Sequence, residues 1–148
     1  MPEPMPRRKF PAHGVRENPG GPAIVMITAC TRNRNPWLAH PDVHSTLVKI
    51  WRTCSEWQVG RYVLMPDHLH LFAGMTSPGA DLEKWMRSWK ALHSRITGRP
   101  GAWQAGHWDT RVRSPESYQE RWEYVRRNPV RQQLVSTPDE WPYQGEVY

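Results

Sequence analysis

The chain has 148 residues, 38% of them hydrophobic, the size of one domain that closes a single core without disulfide support. Lys and Arg number 20 against 14 for Asp and Glu, a formal charge of +6, which favours a polyanionic partner and leans modestly toward nucleic acid over other acidic surfaces. No apolar run is long enough to span a bilayer, and Cys30 and Cys54 lack the spacing of a metal knuckle or a redox pair, so membrane insertion and thiol chemistry drop out.

In chain order, residues 1–22 (MPEPMPRRKFPAHGVRENPGGP) are rich in Pro, Gly and Arg and predict a flexible basic arm with no secretory signal, hence a cytoplasmic protein. Residues 23–31, AIVMITACT, predict a buried strand that the polar run TRNRNP stops. From Val43 to Trp57, the side chains Val43, Leu47, Ile50, Trp51, Cys54 and Trp57 share one helical face. QVGRYVLM and HLHLFAGM predict a hairpin across Pro66-Asp67. Residues 81–97 return to helical period with Leu82, Trp85, Met86, Trp89, Leu92 and Ile96 as one stripe. WQAGHWDTRVR, from Trp103, predicts a fourth strand, Ser114-Pro115-Glu116 an N-cap, and the helix it opens must end before Pro129. The first six elements match a ferredoxin-like split βαβ unit: an α+β fold, antiparallel sheet with two helices on one face, followed by a C-terminal helix.

His68 and His70 stand two apart in a predicted strand, so both leave the same face of the sheet and can converge on one ion. HxH in a strand is equally the mark of ordinary hydrogen-bonded histidines, and a metal needs a third ligand. His44, His93 and His107 are conceivable; His93 sits at the edge of an apolar stripe as a core residue would, and His107 has no partner at ligand spacing. On the last helix, Tyr118, Trp122 and Val125 form the packing face, whereas Tyr124 projects away from it with Asn128 one turn later, beside it. Tyr124 also reads as a tyrosine at the core rim, and Asn128 before Pro129 as a C-terminal cap.

VLMPDHLHLF, followed some fifty residues later by YVRRNPVRQQLV, resembles the REP-associated tyrosine transposases, relatives of the small HUH single-strand DNA transposases of bacterial insertion sequences. WMRSWKAL and WQAGHWDTRVR resemble the family's intervening helix and strand. The resemblance spans residues 23–143, a catalytic domain between the arm and a tail at 144–148. It implies that His68 and His70 are metal ligands with the apolar Leu69 between them, that Tyr124 is the nucleophile and that Asn128 is the third, amide-type ligand.

The chemistry so implied is metal-assisted, with Mg²⁺ or Mn²⁺: Tyr124 attacks a phosphodiester, leaves a 5′-phosphotyrosine and a free 3′-hydroxyl, and strand joining reverses the step without a nucleotide cofactor. The substrate the resemblance implies is single-stranded DNA carrying a REP-type hairpin. Phosphate candidates are Arg32 and Arg34 after the first strand, Lys84, Arg87, Lys90 and Arg95 on the second helix, and Arg126, Arg127 and Arg131 around the tyrosine. Nine Trp and five Tyr suit stacking of unpaired bases, although most Trp in a small domain are core. Two rival readings stand: a domesticated domain that binds DNA hairpins without cutting, and a metal-dependent phosphodiesterase in which water attacks. Whether the chain works alone or as a homodimer is open.

Overall fold

The computed structural model describes residues 24–54 and 56–148; the predicted basic arm at 1–22 lies outside them. The element order is β1 (Ile24–Cys30), α1 (Pro41–Arg52), β2 (Trp57–Leu64), β3 (His68–Met75), α2 (Leu82–Thr97), β4 (Trp108–Val112), α3 (Pro115–Arg126), α4 (Asn128–Arg131) and β5 (Gln144–Glu146), with 3-10 turns at Arg32–Arg34 and Pro138–Glu140. The sheet runs β4-β1-β3-β2-β5, every neighbouring pair antiparallel. Its first four strands stand in the ferredoxin-like order, with β5 added at the β2 edge.

Alternation along the strands decides what each face carries. On β1, Val25, Ile27 and Ala29, and on β3, Leu69, Leu71 and Ala73, are buried in the core that α1 and α2 cover. Phe72 of β3 joins a second cluster with Val63, Val112 and Val125, against which Met26, Tyr118 and Trp122 pack, so α3 lies on the opposite face. Strand β2 serves both faces by changing phase. Its register slips between Val59 and Tyr62, a bulge that keeps Trp57, Val59, Tyr62 and Leu64 all in the first core.

Helix boundaries follow local chemistry. The His40 ring accepts from Asp42 N before Pro41–Arg52, Asp81 accepts from Lys84 N, Ser114 accepts from Ser117 N, and Gly98 closes α2 in the left-handed region (φ 69°). The large core is Trp-rich: Trp51–Trp89, Trp89–Trp103 and Trp37–Trp103 meet edge to face at 5.6, 5.1 and 5.2 Å. Each such pair contributes about 0.5–1.5 kcal/mol beyond the area it buries.

Four expectations are corrected. Trp57 opens β2 rather than closing α1; Thr53 already ends the helix, and the indole reaches the same core from the strand. Ile96, expected on the apolar stripe, is exposed. The fourth strand begins at Trp108, and Trp103 makes only an isolated bridge to Thr31. Residues 144–146 of the expected tail pair with β2, and Trp141 before them is buried with its indole N–H on Leu64 O at 2.9 Å.

Two predictions follow from this packing. A methyl at Gly145 falls 2.7 Å from the Tyr62 Oη, which is itself held 2.6 Å from His44 Nε2; Gly145→Ala is expected to destabilise by about 1–3 kcal/mol in urea unfolding. His93 is fully buried, stacked on Trp37, and accepts from the Trp103 indole through Nδ1 at 3.3 Å. Burial, then the charge of Arg99, hold its pKa at about 4. The unfolded chain, near the ordinary value of about 6.5, binds this proton first, so stability declines as pH falls from that value toward 4. Unfolding across that range is expected to show the slope, and His93→Phe to reduce it.

Candidate metal and nucleic-acid site

His68 and His70 leave β3 on the face that carries Phe72 and α3, as the two-residue period requires. Their rings lie 5.0 Å apart and nearly perpendicular, at 83°. Each Nδ1 is turned away from the other ring and engaged. His70 Nδ1 is 2.9 Å from Thr28 Oγ1, directly across the β1–β3 ladder. His68 Nδ1 is 2.8 Å from Asp67 Oδ1. A carboxylate only accepts, so Nδ1 is the donor in this contact. Arg34 also approaches His68 Nδ1 at 3.4 Å, but its short contact is Nε to Asp67 Oδ2, 3.0 Å. Burial alone would raise the Asp67 carboxyl; the bond from His68 and the Arg34 guanidinium outweigh it and bring the pKa to about 2. His70 is held well below the ordinary imidazole range by burial, then by the charges of His68 and Arg131.

The side-chain amide of Asn128 closes the third side, its Nδ2 3.4 Å from His68 Nε2 and 3.2 Å from His70 Nε2. Asn128 is 3% exposed. It opens α4 rather than capping α3: the chain turns at Arg127 and Asn128 O accepts from Gln132 N at 2.9 Å. Ligand atoms about 3 Å apart are what an octahedral ion with bonds of about 2.1 Å requires of neighbouring positions. Amide nitrogen and oxygen exchange places by a half-turn of the side chain; with Oδ1 where Nδ2 stands, two imidazole nitrogens and an amide oxygen would match a divalent cation in spacing and donor type. Among the described residues no third His, Cys, Asp or Glu joins the pair. His44 bonds the Tyr62 hydroxyl, His93 is in the Trp core, and His107 sits 3.1 Å from Asp109 Oδ2, a buried partner the spacing argument missed.

Tyr124 is 55% exposed and lines a shallow cleft with Met26, Ser117, Glu120 and Arg121. Met26 is one strand step from Thr28 on the same side of β1, so the phenol and the histidines share one face. The expectation that Tyr124 and Asn128 project alike from one helix is corrected: α3 ends at Arg126, and the break sends Asn128 inward while Tyr124 stays outside. Arg131 ties them together. Its guanidinium lies over the Tyr124 ring at 4.0 Å and donates to Tyr124 O at 2.6 Å and to Asn128 Oδ1 at 3.5 Å.

The basic candidates divide. Arg34 and Arg131 stand at the site. Arg126 pairs with Glu123 and Asp139, and Arg127 lies 3.9 Å from Glu123 Oε2. Lys84, Arg87 and Arg95 are exposed on α2, on the far side of the sheet from the histidines, with Arg87 bonded to Glu83. Arg32 is exposed after β1. Lys90 is corrected: it is buried with its ammonium on the carbonyls of Gln104 and Gly106, a packing role rather than a phosphate contact. Sequence reasoning did not single out Asp67 and Thr28. Asp67 was visible as the neighbour of His68 in PDHLH, whereas Thr28 emerges only from the strand register.

No family model matches the chain, and no curated protein is significantly similar to it. Among solved structures, a REP-associated tyrosine transposase bound to a REP hairpin superposes with a TM-score of 0.72 at 20% identity, covering 96% of this chain and 82% of that one. A protein of Deinococcus radiodurans R1, provisionally assigned as a transposase, superposes with a TM-score of 0.53 at 16% identity, over 76% of this chain and 96% of that one. At these identities the likeness is one of architecture: this chain has the fold of a REP-associated tyrosine transposase.

Proposed function

We propose that this chain is a tyrosine transposase of the HUH type that binds single-stranded DNA bearing a hairpin and cuts and rejoins it through Tyr124. The observation that carries the reading is the meeting of His68, His70 and Asn128 on the face that also presents Tyr124, in a fold shared with a hairpin-bound transposase. Binding alone gives no reason for those four residue types to gather. His68, His70 and Asn128 would hold a Mg²⁺ or Mn²⁺, which when bound polarises a non-bridging oxygen of the scissile phosphate and offsets charge gathering there.

The chain's own groups do the rest. The Tyr124 oxygen forms a bond to phosphorus as the bond to the 3′ oxygen breaks, and the phenolic proton is balanced by the proton that the departing 3′-hydroxyl gains through solvent. A free phenol has a pKa of about 10 and is a poor nucleophile at neutral pH, so the attack depends on charge placed around it. Arg131 supplies a cation against the ring and, by bonding the Tyr124 carbonyl, holds the turn that carries it. Because the phosphodiester is exchanged rather than hydrolysed, a second 3′-hydroxyl reverses the step with no nucleotide cofactor. Exposed Arg127 and the adjacent Arg131, on the helix ends beside Tyr124 and Asn128, are the cations that would receive backbone phosphates.

The test is incubation with labelled single-stranded hairpin oligonucleotides and Mn²⁺ or Mg²⁺, followed by denaturing electrophoresis. A covalent protein–DNA band is expected, lost with EDTA and lost by at least about 10³-fold in Tyr124→Phe, while hairpin binding by that variant stays within a few fold. Metal-dependent cleavage that survives Tyr124→Phe would replace this reading with a hydrolase. Tight binding without cleavage of any hairpin would replace it with a binding domain.

A further inference from the structure

The sequence placed Arg34 among the phosphate contacts; its geometry points elsewhere. Arg34 follows β1 in a turn where Asn33 and Arg34 both hold positive φ, 56°, a conformation that non-glycine residues adopt at a cost and that persists only where surrounding contacts fix it. Thr31 N donates to Asp67 O at 3.0 Å, and the single proton of Thr31 Oγ1 is shared between Asn35 O at 2.8 Å and Asp67 O at 3.1 Å. Leu38 N donates to Pro66 O at 3.0 Å. The turn after β1 is thus stitched to the β2–β3 hairpin, and its result is a guanidinium aimed at one oxygen of Asp67 while the other oxygen faces His68 Nδ1.

We infer that Arg34 and Asp67 are positioning residues that fix His68 in the Nδ1–H tautomer, with the Nε2 lone pair turned to Asn128 and His70. The inference rests on the functional reading above only where it concerns the metal. Asp67 alone can accept from Nδ1–H, yet a free carboxylate would swing between rotamers. Arg34 occupies the second oxygen and removes that freedom. Partners of this kind behind a metal-ligating histidine set both ring orientation and ligand basicity, and their loss typically costs about 10–100-fold in metal affinity. Thr28 holds His70 from β1 in the corresponding way, but a hydroxyl both donates and accepts, so only Asp67 dictates a tautomer.

The experiment is ¹⁵N imidazole NMR on the full chain, metal-free, at a pH above the imidazole range, combined with Mn²⁺ titration by calorimetry. In the wild type, His68 is expected to show a protonated Nδ1 and a bare Nε2. In Asp67→Asn, whose amide can present either an acceptor or a donor, the two His68 tautomers are expected to mix and Mn²⁺ affinity to drop about 10–100-fold. Arg34→Met is expected to keep the tautomer and lose a smaller factor. His93 resonances, remote in the Trp core, report that each variant folds. A wild-type His68 protonated at Nε2 overturns the proposal without any variant, as does Asp67→Asn with an unchanged tautomer. If the wild type shows the expected tautomer but binds no Mn²⁺, the positioning inference stands and the metal reading above falls.

Discussion

Strand β3 is hydrogen-bonded on both sides and covered on both faces, so its alternation leaves no freedom. Leu69, Leu71 and Ala73 must enter the core beneath α1 and α2, and His68, His70 and Phe72 must then emerge on the other side. Phe72 becomes the floor on which Tyr118 and Trp122 of α3 rest, and the two histidines become a site. A slip of one residue would drive both imidazoles into the Trp-rich core and expose three apolar side chains, at a cost no local adjustment offsets. The same core that stabilises the fold therefore dictates where the chemistry lies.

The second determinant is the break between α3 and α4. Pro129 has no N–H to continue the ladder, and the turn at Arg127 lets Asn128 point back toward the sheet while Tyr124 stays at the surface. A straight helix would offer both at one azimuth; the broken one separates a buried amide from an exposed phenol. Arg131, one turn past the break, contacts the ring and carbonyl of one and the amide of the other. Amide and phenol are thereby tied to one short stretch of chain.

Much of this was legible beforehand because it rests on local periodicity. The existence and approximate extent of β1, β2, β3 and α2, the Ser114 cap and the packing face of α3 were readable from spacing, and so was the shared orientation of His68 and His70. What escaped depends on contacts between distant segments. The β2 bulge that rescues Trp57 for the core, the pairing of the last residues with β2, the burial of Lys90 on two carbonyls and the Thr28–His70 contact each need the register of one element against another. Tyr124 and Asn128 were found from the resemblance and from helical spacing together. Their difference in burial was hidden because spacing assumes a helix that continues.

If His68, His70 and Asn128 form one ligand set, a divalent ion must settle between them. Soaking crystals of the protein with Mn²⁺ and mapping its anomalous scattering tests this most directly. A single strong peak is expected, bounded by the two Nε2 atoms and the Asn128 amide, with the amide oxygen turned toward it. A protein that crystallises in this fold with no peak there, or with its Mn²⁺ bound elsewhere, would contradict it.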